Sequence, residues 1–213
     1  MGTYSKGILG AFSGKVGPVV GATWRGKDKM RSLPRKGNRI ATAAQMLQRS
    51  KFIMATEFLT PLNPIITKYF GSNNGITTRR NKAMSYTLRE AITYSDPILQ
   101  WDFSKVLISR GVLLGLNAAT AVAGATSSIT LNWADNSGSG EAEESDKLIV
   151  VVYEETTKTS VSFLNAGARD QETASLIVPE FLSGLRVQIW ATFASIDDSR
   201  YATSLYLGEV VVA

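Results

Sequence analysis

The chain has 213 residues, 44% of them hydrophobic and 19% charged, a mean hydropathy near zero, and neither cysteine nor histidine. That composition suits a soluble globular protein, and it excludes disulfides, thiol nucleophiles, thiolate metal sites and every form of histidine acid–base or metal chemistry. The net charge of +5 is unevenly divided: residues 1–95 hold sixteen Lys/Arg against three Asp/Glu (+13), and residues 96–213 hold seven against fifteen (−8).

The first residues, Met1 to Gly10, have too short an apolar run for a secretory signal, and no small-residue cleavage site follows. No window approaches the ~18 apolar residues of a membrane-spanning helix. Synthesis in the cytoplasm is expected, with a virion or an extracellular assembly as a final location. Residues 1–40 are dense in glycine and basic side chains, which predicts an extended arm or β-ribbon rather than helix. Val16–Trp24 and Lys29–Leu33 read as two short strands around Arg25-Gly26-Lys27-Asp28. Gly10 to Gly14 encloses three residues rather than four, and Val16 follows Lys15, so the segment is not a phosphate-binding loop.

Residues 41–103 read as helical. Thr42 and Gln45 form a capping box, and Leu47, Met54 and Phe58 recur at helical spacing behind it. Pro61 and Pro64 end that helix and turn the chain into Ile65–Phe70, and a second helix is predicted around Asn81–Thr93. From residue 104 the pattern is that of strands: Val106–Arg110, Ser128–Asp135, Leu148–Glu155, Thr159–Leu164, Ala174–Val178, Leu185–Ser195 and Tyr201–Val212. Seven strands with Gly/Ser/Asp-rich turns predict an antiparallel sandwich of immunoglobulin or fibronectin type III kind. The fold class is therefore α+β. Ile129, Leu131 and Trp133 should share one face, as should Val187, Ile189, Ala191 and Phe193. The loop 137–146 carries Glu141, Glu143, Glu144 and Asp146, the one carboxylate cluster. Its spacing fits no calcium loop, and carboxylates in a solvated Gly/Ser loop lack the environment that tunes a catalytic pair.

Gly7-Ile-Leu-Gly-Ala-Phe-Ser-Gly-Lys-Val-Gly17, Trp24-Arg-Gly, Met30-Arg-Ser-Leu-Pro34, Ala41-Thr-Ala-Ala-Gln45 and Ser109-Arg-Gly111 resemble the hallmarks of an uncharacterised Bacteroidota family of about 210 residues, for which no activity is assigned. More loosely, a Gly/Lys-rich strand, a basic arm and a Thr-x-x-Gln-x-x-x-Arg helix (Thr42, Gln45, Arg49) are similar to small proteins encoded among phage structural genes, some with an immunoglobulin-like C-terminus. That second resemblance implies a subunit of a virion or phage-derived assembly.

These observations predict a non-enzymatic structural subunit with no cofactor, catalytic residue or bound metal, no small-molecule substrate, and copies of itself as partner. Its arm would pack on a neighbour through Ile8, Leu9, Phe12, Val19 and Trp24. Arg25, Lys27, Lys29, Arg31, Arg35, Lys36, Arg39, Arg79 and Arg80 would form the basic interface. The alternative is a nucleic-acid-binding protein, in which Arg31, Arg35, Lys36, Arg39, Arg79, Arg80 and Lys82 grip phosphates while Tyr4, Phe12 and Trp24 stack on bases. A ligand- or carbohydrate-binding sandwich is a third reading.

Overall fold

The computed structural model describes residues 2–3, 12–24, 26–34, 37, 40–72, 77–125 and 127–213, and the backbone alone of 2–3. The chain divides into two compact units, 1–45 and 46–213.

In the first unit, β1 (Gly2–Thr3), β2 (Gly14–Val16), β3 (Val19–Trp24) and β4 (Lys27–Ser32) form an antiparallel sheet in the order β1-β4-β3-β2. The single strand expected over Val16–Trp24 is divided at Gly17-Pro18, where the chain reverses between Val16 and its partner Val19. The proline nitrogen cannot donate to a ladder, so a strand breaks there. The predicted four-residue turn after Trp24 is tighter than expected, because Trp24 pairs directly with Lys27. Gly21 is the only buried residue among the sheet's described side chains.

Helix α1 (Ala43–Leu59) starts at the expected capping box. The Thr42 N–H donates to Gln45 Oε1 at 3.2 Å and the Gln45 N–H to Thr42 Oγ1 at 3.3 Å. In the second unit α2 (Asn63–Tyr69) carries Pro64 in its first turn, and α3 (Arg79–Tyr86) is capped by Thr78, whose hydroxyl accepts from the Asn81 N–H. The helix expected to run to Thr93 stops earlier. It widens into a π-turn over Thr87–Ala91, and the β-branched Ile92-Thr93 pair opens a hairpin of β5 (Ile92–Ser95) and β6 (Ile98–Trp101).

The sandwich has one sheet of β7 (Asn117–Ala123), β8 (Ser128–Ala134) and β11 (Thr173–Ile177), ordered β11-β8-β7. The other has β9 (Lys147–Glu154), β10 (Thr159–Phe163), β12 (Arg186–Ala194) and β13 (Leu205–Val211), ordered β10-β9-β12-β13. The architecture is thus mixed α+β with the character of a β-sandwich. Two strand assignments are corrected. Val106–Arg110 is not a strand, because its polar groups find other partners. The Ile108 and Ser109 N–H groups reach Ser204 Oγ at 3.0 and 3.3 Å, and the Arg110 N–H donates to the Tyr69 carbonyl at 3.0 Å. The seventh strand is instead β7, which escaped notice because Asn-Ala-Ala-Thr-Ala-Val-Ala has weak strand propensity. Leu205, not Tyr201, opens the last strand.

Ile129, Leu131 and Trp133 share one buried cluster with Val187, Ile189, Ala191 and Phe193, as their alternation predicts, together with Leu148, Val150 and Val152. The intervening residues of β9 and β12 are buried too. Ile149, Val151, Tyr153, Trp190 and Ala194 pack against Phe58, Leu59, Leu62, Ile66 and Tyr69 of α1, α2 and the turn between them. The unit therefore has three layers, with β9 and β12 covered on both faces.

One ion cluster bridges helix and sandwich. Asp198 accepts from Lys68 Nζ at 2.6 Å, Tyr69 Oη at 2.6 Å and Lys147 Nζ at 2.5 Å. Burial opposes its ionisation, but the hydrogen bonds from Lys147, Lys68 and Tyr69 outweigh that and hold its carboxyl down at about 2. A carboxylate with a depressed folded pKa stabilises fully above its unfolded value and loses that contribution as pH falls through the folded one. Between pH 4 and pH 2 the wild type should therefore lose about 1–2 kcal/mol more than Asp198→Asn, after discounting for the partly exposed lysines. Urea titrations at the two pH values measure this, and equal losses would refute it. Asparagine tolerates the left-handed backbone at this position (φ +58°).

Candidate interaction surface

Side chains alternate across a strand, and directly paired residues share a face. The β3–β4 register pairs Val20 with Arg31, Ala22 with Lys29 and Trp24 with Lys27, and Lys15 of β2 pairs with Val20. One face of the sheet thus carries Lys15, Lys27, Lys29, Arg31 and Trp24 over the small residues Val20 and Ala22. Trp24 is 55% exposed, and the Lys29 ammonium stands 4.9 Å from its ring centroid in a cation–π contact. Beside them is a hollow of about 370 Å³, lined by Ala22, Thr23, Trp24, Lys29 and Arg31.

The opposite face carries Val16, Val19, Met30, Thr23 and Asp28. Phe12 crosses it at Gly21, so closely that a Cβ there would lie 2.4 Å from the Phe12 carbonyl oxygen and 2.6 Å from its ring. Only glycine permits that approach. Asp28 is the one acidic residue in positions 1–45, and it accepts from Thr23 Oγ1 at 2.8 Å on this face. The cationic face therefore holds no carboxylate among its described residues.

The predicted residues divide accordingly. Trp24, Lys27, Lys29 and Arg31 come together on the cationic face. Phe12 and Val19 lie on the other, so the expected apolar arm set does not form one surface. Ile8, Leu9, Arg25, Arg35, Lys36 and Arg39 lie outside the described residues, as does Tyr4. Lys15 was missed, although its register follows once β2 and β3 are separated at Gly17-Pro18.

Arg79 and Arg80 belong to the second unit and make contacts within it. Arg79 Nη1 donates to the carbonyls of Thr67 (3.2 Å) and Lys68, closing the C-terminal end of α2, and its guanidinium stands over the Tyr201 ring. Arg80 Nη1 donates to Asn63 Oδ1 at 2.8 Å, and Nη2 to Thr60 Oγ1 at 3.4 Å. Of these contacts only Arg80–Asn63 is partly buried.

The acidic loop also differs from a uniformly solvated one. Glu141 and Glu143 pair with Arg200 at 3.2 and 3.3 Å, whereas Asp146 is buried against Arg169 at 3.0 Å. Among the described residues no three carboxylates converge as a metal site, and no helix is long and apolar enough to cross a membrane.

The sequence pattern of a family of unknown function (DUF6266) matches residues 11–208. The chain belongs to that family. No curated protein matches the sequence.

Proposed function

We propose that this member of the DUF6266 family is a non-enzymatic structural subunit that assembles with copies of itself, the cationic face of its N-terminal sheet docking on the acidic sandwich of a neighbour. The observation that carries this reading is a sheet whose described side chains are almost all accessible, with a broad face that presents an exposed tryptophan among four cations. A sheet of this size is marginal unless something covers one face. The excess of eight negative charges in residues 96–213 supplies a complementary surface in every copy. A contact between two different surfaces is heterologous, and it closes a ring or runs on as a filament. A virion-like particle, an appendage or a filament is the class of assembly that fits.

The sandwich itself supports a scaffold role. Its first, second and fifth strands form one sheet, and its fourth, third, sixth and seventh form the other. In the constant immunoglobulin arrangement the fourth strand joins the first sheet. We infer the fibronectin type III order, a module built to present surfaces rather than to enclose chemistry.

Light scattering of nuclease-treated protein should give a mass of many subunits at low salt that falls as salt screens the contact. Trp24→Ala combined with Lys29→Glu should leave a monomer with an unchanged sandwich. A wild type that is monomeric at every salt concentration would sink the assembly reading. The same face favours a second reading, since an aromatic ring among cations is also a platform for single-stranded nucleic acid. In that case Lys27→Glu/Lys29→Glu/Arg31→Glu would abolish retention on a polyanion column while the mass stayed that of a monomer throughout.

A further inference from the structure

A second cationic site lies wholly within the 46–213 unit, where four segments converge: the end of α2, α3 with its π-turn, residues 110–112, and the connection between β12 and β13. They enclose a cleft of about 640 Å³, within the range of small-molecule pockets. Lys82, Arg89, Arg110 and Arg200 line it, together with Tyr86 and Tyr201, and no carboxylate is among the lining residues.

The cleft is rigidly built. The Tyr201 hydroxyl donates to the Gly71 carbonyl at 2.6 Å, tying the β12–β13 connection to the end of α2. The Gly71 N–H donates to the Arg110 carbonyl at 2.7 Å. At Gly111 a Cβ would lie 1.8 Å from the Tyr201 carbonyl oxygen, so the backbone can pass here only without a side chain. Ser109, in the same Ser-Arg-Gly segment, is anchored in the interior by hydrogen bonds of its hydroxyl with the Ala202 carbonyl and the Thr192 hydroxyl, both at 2.9 Å. Arg110 is thereby held at the cleft wall, its guanidinium over the Tyr86 ring at 6.0 Å. The π-turn following α3 carries Arg89, whose Nε donates to the Ser85 carbonyl at 3.1 Å. Such turns recur at functional sites.

The charge is only partly offset. Arg200 pairs with Glu141 and Glu143. Among the described residues neither Arg89 nor Arg110 has a carboxylate within ion-pair distance, and both are exposed to the cleft. Two guanidinium forks facing an acid-free hollow match the oxygens of a phosphate group. Phe70, Tyr86 and Val112 beside them offer apolar surface to an organic body. We infer that this cleft binds a phosphate monoester, with Arg89 and Arg110 holding the phosphate and Tyr86 flanking the esterified group. This site is independent of the assembly reading, because none of its residues belongs to the N-terminal sheet.

Calorimetric titration of the full chain with adenosine monophosphate, inorganic phosphate, adenosine and a 5′-phosphorylated oligonucleotide tests it. The monophosphate should bind and adenosine should not. Tighter binding of the oligonucleotide than of the free nucleotide would assign the phosphate to a polymer end. Arg89→Gln/Arg110→Gln should weaken binding at least tenfold. Val112→Glu, at a residue 89% exposed on the cleft rim, should do so without touching any internal contact. Lys29→Gln/Arg31→Gln should leave affinity unchanged. The proposal is overturned if the wild type binds none of the phosphates up to about 10 mM, or if affinity survives both cleft variants.

Discussion

Replacing Asp146 with alanine should destabilise the protein by about 3–5 kcal/mol, the usual cost of stranding a buried charge. Arg169 is fully buried, and its Nε and Nη2 donate to Asp146 Oδ2 at 3.2 and 3.0 Å. The rest of its guanidinium reaches Asn136 Oδ1 and the Leu114 carbonyl (2.9 Å), while its face lies 4.0 Å from the Phe193 ring centroid. Asp146 also accepts from the Glu143 N–H at 3.0 Å, and Trp133 Nε1 donates to the Arg169 carbonyl at 2.7 Å. The pair thus joins the acidic loop, the segment before β7 and the sandwich core at one end. Removing the carboxylate leaves a buried cation with only the neutral acceptors of Asn136 and Leu114. Removing both charges is different, since a well-packed apolar pair avoids the desolvation cost altogether. Asp146→Leu/Arg169→Met should recover most of the loss. Urea denaturation of the three variants measures this, and a single-variant cost below about 1 kcal/mol would mean the pair is solvated.

The second large effect is expected at Phe58, which joins the helical layer to the sandwich. Its ring meets Trp101 and Tyr153 at centroid distances of 4.8 Å and Trp190 at 6.0 Å. These partners come from the β5–β6 hairpin, β9 and β12, so one side chain contacts three separate elements. Phe58→Ala should cost about 3–5 kcal/mol, combining lost transfer energy with a cavity that rigid neighbours cannot fill. If the layers unfold together, near-ultraviolet circular dichroism and far-ultraviolet signal will be lost at one lowered urea midpoint. A second, earlier transition in the far-ultraviolet alone would show that the helices detach first. A midpoint equal to wild type would refute the packing role.

Much of the architecture could be read along the chain. The alternation at Ile129-x-Leu131-x-Trp133 and Val187-x-Ile189-x-Ala191-x-Phe193 identified the inner face, and six of the seven strand assignments overlap observed strands. The run Leu148-Ile-Val-Val-Val-Tyr153 has no polar interruption, which is the mark of a strand covered on both sides. It announced a third layer that was not inferred from it. In the N-terminal sheet the spacing of Trp24, Lys27, Lys29 and Arg31 held enough information to place them together, once the two-residue turn was known. Arg79 and Arg80 looked equivalent to those cations in the sequence. They differ because Arg79 meets the last carbonyls of α2 and Arg80 the side chains of Asn63 and Thr60, contacts that local pattern cannot reveal.

The sequence by itself determined which chemistry is closed to this protein, where α1 begins, which residues of β8 and β12 face inward, and that the charge is split between its halves. Those properties follow from composition or from periods of two and 3.6 residues, which neighbouring positions specify without help. Only the tertiary structure decided that Asp146 is buried while Glu141 and Glu143 lie at the surface, that β9 and β12 are covered twice, and that Arg89 and Arg110 line one acid-free cleft. Each of those depends on segments far apart in the chain; the Tyr201–Gly71 hydrogen bond spans 130 residues. Convergence over such distances is set by how whole layers pack, and no local periodicity carries it.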